Sequence, residues 1–179
     1  DKKIILYAPT WRDDEFYGHA KYKFTLQLDL AKMQKELGDE YIILLRTHYF
    51  IADVLDLSEY EGFAYNLSKY DDIARLYLIS DVLITDYSSV VFEASLLDIP
   101  MLMYAYDLER YISSRGFYYE YEDMAPGKIV RTYSDLVTAI EQQDFESDKL
   151  QEFKKRFFDD LDGRSTVRAG ELIVECTKK

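Results

Sequence analysis

The stretch EYIILLRTH, residues 40–48, carries its apolar residues in one unbroken run rather than at every second position. A strand with one wet face alternates, whereas a continuous run belongs to a strand covered on both faces, as in parallel sheets clad by helices. The segments around it fit such a sheet. KIILYAP at 3–9, GFAYNLS at 62–68, DVLIT at 81–85 and MLMYA at 101–105 are further strands, and APGKIV at 125–130 ends a loop and enters an edge strand. Helical patterns lie between them. TLQLDLAKMQKEL at 25–37 spaces Leu26, Leu28, Leu30, Met33 and Leu37 as a helix does, and Asp71 or Asp72 caps IARLYLIS. SSVVFEASLLD at 88–98 and DLERYISSRGFY at 107–118 follow, the latter closed by Gly116. Three more helices come from YSDLVTAIEQQ, DKLQEFKKRFFDD and STVRAGELIVECTKK. Strands alternating with helices predict an α/β fold: a Rossmann-like parallel sheet of five or six strands with helices on both faces.

With 179 residues, three prolines and seven glycines, the chain is expected to form a single domain over 1–179 without linkers or repeats. It opens on DKKIILYAPTW, with a strand almost at residue 1, which suggests a domain cut from a longer protein. A net charge of −12 argues against general nucleic-acid binding and requires a local basic pocket for any anionic ligand. The 17 tyrosines are explained mostly as packing at the edge of the core. Cys176 has no partner for an internal disulfide and is expected to be a buried apolar residue or a bystander.

In open parallel sheets ligands bind beyond the carboxyl ends of the strands. Thr10, Trp11 and Arg12 follow the first strand, Arg46, Thr47 and His48 the second, and Asp86, Tyr87, Ser88 and Ser89 the DVLIT strand. Tyr106 and Asp107 follow MLMYA, with Arg115 one helix later. Ser88 and Ser89 either cap the helix they open or join its N–H groups in holding a phosphate. Asp86 would repel a phosphate; it caps the turn, orients a basic partner or accepts from a sugar or polyol hydroxyl. Arg12 and Arg46 suit bidentate phosphate contacts and as a pair would offset the chain's acidity, although an arginine taken singly is more often a surface ion-pair member. His48 is either structural or a donor and proton carrier. No glycine-rich phosphate loop, GxSxG elbow or cysteine–histidine metal spacing is present, so no metal and no cofactor is expected. Asp13, Asp14 and Glu15 are read as a solvated acidic loop.

YAPTWRD at 7–13, LRTH at 45–48, ISDVLITDYSSVVFE at 79–93, YDLERYISSRGFYYEYE at 106–122 and APGKIV at 125–130 together resemble the carboxyl-terminal domain of CDP-glycerol glycerophosphotransferases. These are the teichoic-acid polymerases and primases of Gram-positive bacteria. The resemblance implies the donor-binding half of a two-domain GT-B transferase working at the cytoplasmic face of the membrane, peripheral to it, on a lipid-linked polyol-phosphate acceptor. The donor would be CDP-glycerol or CDP-ribitol, and the catalytic base would lie in an amino-terminal domain absent from this chain. By the same resemblance Ser88 and Ser89 hold the pyrophosphate, and His48 with Arg46 stabilises the departing phosphate. Glu93 binds the ribose, and Asp107 and Arg115 lie near the glycerol or phosphate. A sugar-nucleotide GT-B glycosyltransferase and a noncatalytic interaction domain are the alternatives.

Overall fold

The computed structural model describes residues 1–12, 16–17, 21–22, 26–47 and 55–178, with only the backbone of 16–17 and 21–22. In chain order the elements begin with β1 (Lys3–Tyr7), the antiparallel pair β2 (Phe16–Tyr17) and β3 (Lys21–Tyr22), α1 (Leu30–Leu37) and β4 (Tyr41–Leu45). A 3-10 turn (Ser58–Tyr60), β5 (Ala64–Asn66), α2 (Ile73–Ile79), β6 (Val82–Thr85), α3 (Val90–Ser95) and β7 (Met101–Tyr104) follow. The chain continues through α4 (Leu108–Ser114), α5 (Tyr121–Met124), β8 (Lys128–Val130), α6 (Tyr133–Gln142), α7 (Ser147–Phe157) and α8 (Ser165–Thr177).

Six strands pair in the order β5-β4-β1-β6-β7-β8, every pair parallel. Because side chains alternate along a strand, the apolar runs feed two layers at once. Ile5, Ile43, Ile84 and Leu102 face Met33 of α1 and Leu136 of α6. Leu6, Leu44, Leu83 and Met103 face Leu76 of α2, Val91 of α3 and Phe153 of α7. Burial on both faces is the physical source of the unbroken apolar runs, each such side chain contributing roughly 1.5–3 kcal/mol. The expected α/β sheet with helices on both faces is the fold observed.

Several boundaries differ from the sequence expectation. The first helix begins at Leu30, because the Asp29 carboxylate accepts from the Lys32 N–H at 3.1 Å and so caps the helix there. Leu26 and Leu28 still pack on the core, but from non-helical chain, while Thr25 lies outside the described residues. The helix expected over 88–98 is regular only over α3. Beyond it the N–H groups of Leu97 and Asp98 bond three residues back and Asp98 turns to φ 55° ahead of Pro100. The loop expected before β8 contains α5, anchored by the Tyr121 hydroxyl donating to the Asp86 carbonyl at 2.8 Å. Cys176 is exposed, like the rest of α8, which buries no residue. Gly116 just past α4 has φ +70°, the left-handed backbone that favours glycine.

Caps set the starts of the other helices. Asp72 accepts from the Ala74 N–H at 2.9 Å, and Thr132 accepts from the Asp135 N–H at 3.1 Å while donating to its carboxylate at 2.7 Å. Thr132→Ala is expected to cost about 1 kcal/mol. Calorimetry should then record a Tm lower by roughly 2–4 °C for a chain of this size. Among the described residues no helix is long and apolar enough to cross a membrane.

Candidate functional site

From β1 the chain passes to β4 and β5 on one side, then crosses back through α2 to lay β6 on the other side of β1. This reversal opens a crevice at the carboxyl ends of β1, β4 and β6, the place where open α/β sheets take their ligands. A cavity of about 320 Å³ occupies it, with Thr10, Trp11, Arg46, Thr47, Ser68 and Ser88 among its walls. On the other side of Trp11 a smaller cavity of about 170 Å³ is walled by Arg12, Asp107, Arg110 and Arg115. Trp11 lines both.

Between them lies a buried ionic cluster. Asp86, 2% exposed, accepts from the Thr10 N–H at 2.8 Å, from its neighbour Tyr87 N–H at 2.6 Å and from Arg12 Nη2 at 2.9 Å. Arg12 also donates through Nε and Nη2 to the two oxygens of Asp107 at 2.9 and 3.0 Å, and through Nη1 to the Thr10 carbonyl at 2.7 Å. These bonds use four of the five guanidinium N–H groups. The rings of Tyr87, Tyr106 and Tyr111 stand 5.0, 5.6 and 5.3 Å from the guanidinium carbon, close enough for cation–π attraction. The Tyr87 hydroxyl completes the cluster by donating to Asp107 at 2.9 Å.

Burial alone would favour neutral forms here, but the pairing outweighs it. Burial presses the Arg12 value down, yet its hydrogen bond to Asp107 and the charge of Asp86 raise it, so the guanidinium stays charged. Burial pushes the Asp107 carboxyl up, and the hydrogen bond and charge of Arg12 with the Tyr87 hydroxyl hold it below the ordinary range. Burial, with the charge and hydrogen bond of Asp107, pushes the Tyr87 hydroxyl well up, which keeps it a donor. Of the three parts open to Asp86 from sequence, the structure shows it beside a basic partner, Arg12.

The second group gathers around Arg46. Its Nη1 donates to the carbonyls of Leu67, at 3.3 Å, and Ser68 in the loop after β5. Thr47 is buried beside it, its N–H donating to Ser68 Oγ at 3.0 Å and its hydroxyl 2.7 Å from the same oxygen. Ser88 accepts from the Val90 N–H over a long 3.4 Å, and Ser89 is exposed and makes no side-chain cap bond. Glu93 is also exposed and accepts from the Tyr77 hydroxyl at 3.2 Å; that hydroxyl lies within reach of the Arg46 charge. His48 and the acidic Asp13, Asp14 and Glu15 lie outside the described residues.

The structure therefore joins Arg12, Asp86 and Asp107 in one cluster, sets Arg46 and Ser88 on the neighbouring cavity and puts Arg115 on the smaller one. Sequence reasoning assigned the tyrosines to core packing and missed the ring of Tyr87, Tyr106 and Tyr111. The Ser68 hydroxyl, contributed from beyond β5, was also missed, and no local pattern announces it.

Over residues 1–175 the chain matches the family model for CDP-Glycerol:Poly(glycerophosphate) glycerophosphotransferase. It is 47% identical over 180 residues to the teichoic acid poly(glycerol phosphate) polymerase of Bacillus subtilis (strain 168), covering 100% of this chain and 24% of that protein. It is 41% identical over 175 residues to the teichoic acid poly(ribitol-phosphate) polymerase of Bacillus spizizenii (strain ATCC 23059 / NRRL B-14472 / W23), covering 97% and 28%. A solved structure of a variant of the wall teichoic acid polymerase TagF soaked with CDPG superposes with a TM-score of 0.82 at 45% identity, over 99% of this chain and 44% of that one. The chain thus spans about a quarter of the length of these curated relatives. With six parallel strands, a crevice at the reversal of strand order and a family match over nearly its whole length, the chain belongs to the CDP-glycerol:poly(glycerophosphate) glycerophosphotransferase family.

Proposed function

We propose that this chain binds the cytidine-diphosphate part of a CDP-polyol, CDP-glycerol foremost, as the donor half of an enzyme that passes glycerol phosphate to a lipid-linked acceptor. The observation that carries the reading is the cavity at the strand-order reversal, walled by Arg46, Ser88 and Thr10. A guanidinium and hydroxyls held by secondary structure suit a diphosphate, which an otherwise acidic chain has to recognise locally. In the reaction the acceptor hydroxyl attacks the glycerol-linked phosphorus. A new P–O bond forms, the P–O bond to CMP breaks, and the acceptor's proton goes to a base in the amino-terminal GT-B domain. CMP departs with the bonding pair, and Arg46 with His48 stabilises its charge.

Ser88 and Ser89 take the pyrophosphate, and Glu93, steadied by Tyr77, takes the ribose. Arg12, Asp107 and Arg115 form the wall towards the glycerol end, with Asp86 bonded to Arg12. The enzyme works at the cytoplasmic face of the membrane. CDP-ribitol is the companion reading, favoured by the likeness to a poly(ribitol-phosphate) polymerase. Calorimetric titration with CDP, UDP and GDP tests the nucleotide assignment. CDP should bind at least tenfold more tightly than the other two, and a preference for UDP or GDP would end the reading.

A further inference from the structure

Thr10 is pinned at its N–H and its carbonyl, while its side chain has no hydrogen-bond partner among the described residues. Its N–H donates to Asp86 at 2.8 Å and its carbonyl accepts from Arg12 at 2.7 Å. Its hydroxyl oxygen is buried and bonds nothing among the described residues. Buried hydroxyls ordinarily find a partner, so an orphan asks for a reason. This one belongs to a residue that lines the cavity shared with Arg46 and Ser88.

The neighbouring cation does not offer itself to a phosphate in the same way. Arg12 has committed four of its five N–H groups, and it stands between two carboxylates. An incoming phosphate would meet that excess of negative charge before it met a spare donor. What the Arg12–Asp86 pair does accomplish is to hold the Thr10 backbone rigidly at the cavity wall. The hydroxyl, methyl and hydrogen of threonine share one Cβ, so one step between staggered χ1 wells carries the hydroxyl to the place of the methyl and the methyl to that of the hydrogen. A hydroxyl turned in this way from its orphaned position donates to a phosphate oxygen in the cavity that Thr10 lines.

We propose that Thr10 is a ligand-contacting residue of this cavity, its hydroxyl donating to a phosphate oxygen, and that Arg12 and Asp86 are positioning residues acting through its backbone. The inference rests on the donor reading above and adds a contact to it. It also gives the orphaned hydroxyl a use: the free protein tolerates an unmet polar group that the bound protein satisfies.

The test compares Thr10→Val and Thr10→Ser with the parent in the full chain, titrating CDP and cytidine and following thermal unfolding. Trp11, the only tryptophan, lines the same cavity and reports binding by its fluorescence. Thr10→Val should bind CDP roughly tenfold or more weakly, as expected for a hydrogen bond to a charged group. Its affinity for cytidine should be unchanged, and its Tm should rise by about 2–4 °C once the orphan is gone. Thr10→Ser should keep most of the CDP affinity. A fall in Tm for Thr10→Val would mean that the hydroxyl already has a structural partner, and would overturn the proposal. Equal losses for CDP and cytidine, or no loss for CDP, would overturn it too. Failure of the parent itself to bind CDP would instead strike the donor reading on which it rests.

Discussion

Arg12→Ala will destabilise the protein by about 3–5 kcal/mol, the range for removing one partner of a buried ion pair and leaving charge behind. In a chain of this size that is a Tm lower by roughly 6–20 °C. The loss is large because Arg12 and Asp107 expose only 12% and 13% of their side chains, and Asp86 3%, so water cannot replace the guanidinium. The pH dependence should change sign. In the parent, Arg12 and Tyr87 hold Asp107 below its ordinary value against the pull of burial. Its contribution is therefore complete above the unfolded carboxylate value of about 3.9 and is lost as pH falls through the lower folded value. Without Arg12 only the Tyr87 hydroxyl and a backbone hydrogen bond oppose burial at Asp107, so its value rises and the folded state binds the extra proton. The variant should then gain stability as pH falls from 7 towards 5, where the parent gains none. Adding Asp107→Asn to Arg12→Ala should recover part of the loss at pH 7. Denaturant melts at several pH values decide this, and an Arg12→Ala protein with parental stability at pH 7 would show that the cluster does not hold the loop.

The second large effect concerns ligand affinity. Arg46→Gln should weaken CDP binding by about ten- to a hundredfold, since a hydrogen bond between charged groups contributes roughly 1.5–3 kcal/mol and each 1.4 kcal/mol is a factor of ten. Cytidine should bind as before, because the guanidinium is assigned to phosphate alone. The CDP affinity of the parent should fall with added salt, and that of the variant should fall less. Arg46→Lys should rescue incompletely: the planar group reaches the carbonyls of Leu67 and Ser68 while facing a ligand, and a single ammonium cannot serve both. Parallel losses for CDP and cytidine would assign Arg46 to loop structure instead.

Much of the architecture was legible along the chain. The run at 41–45 predicted a strand buried on both faces, and β4 lies inside the sheet with α-helical layers above and below. Asp72 and Gly116 marked a helix start and a helix end because capping is local chemistry, settled within a few residues. Less legible were elements that depend on distant contacts. The four-residue α5 has no helix-forming length of its own and stands where Tyr121 reaches the Asp86 carbonyl 35 residues away. The start of α1 was misplaced because Leu26 and Leu28 keep the apolar spacing of a helix while packing from non-helical chain.

By itself the sequence determined which segments become strands and helices and which polar residues stand at the strand ends, for periodicity and caps are properties of neighbours in the chain. Only the tertiary structure decided what those polar residues meet. Placing β6 and β7 on one side of β1 brings Arg12 to Asp86 and Asp107, 74 and 95 positions further on, and β4 with β5 on the other side brings Arg46 to Ser68. A guanidinium offers the same N–H groups to a carboxylate or a phosphate. Which of them it keeps is settled by the strand order that sets two carboxylates within 3 Å of Arg12 and leaves Arg46 on the wall of a cavity.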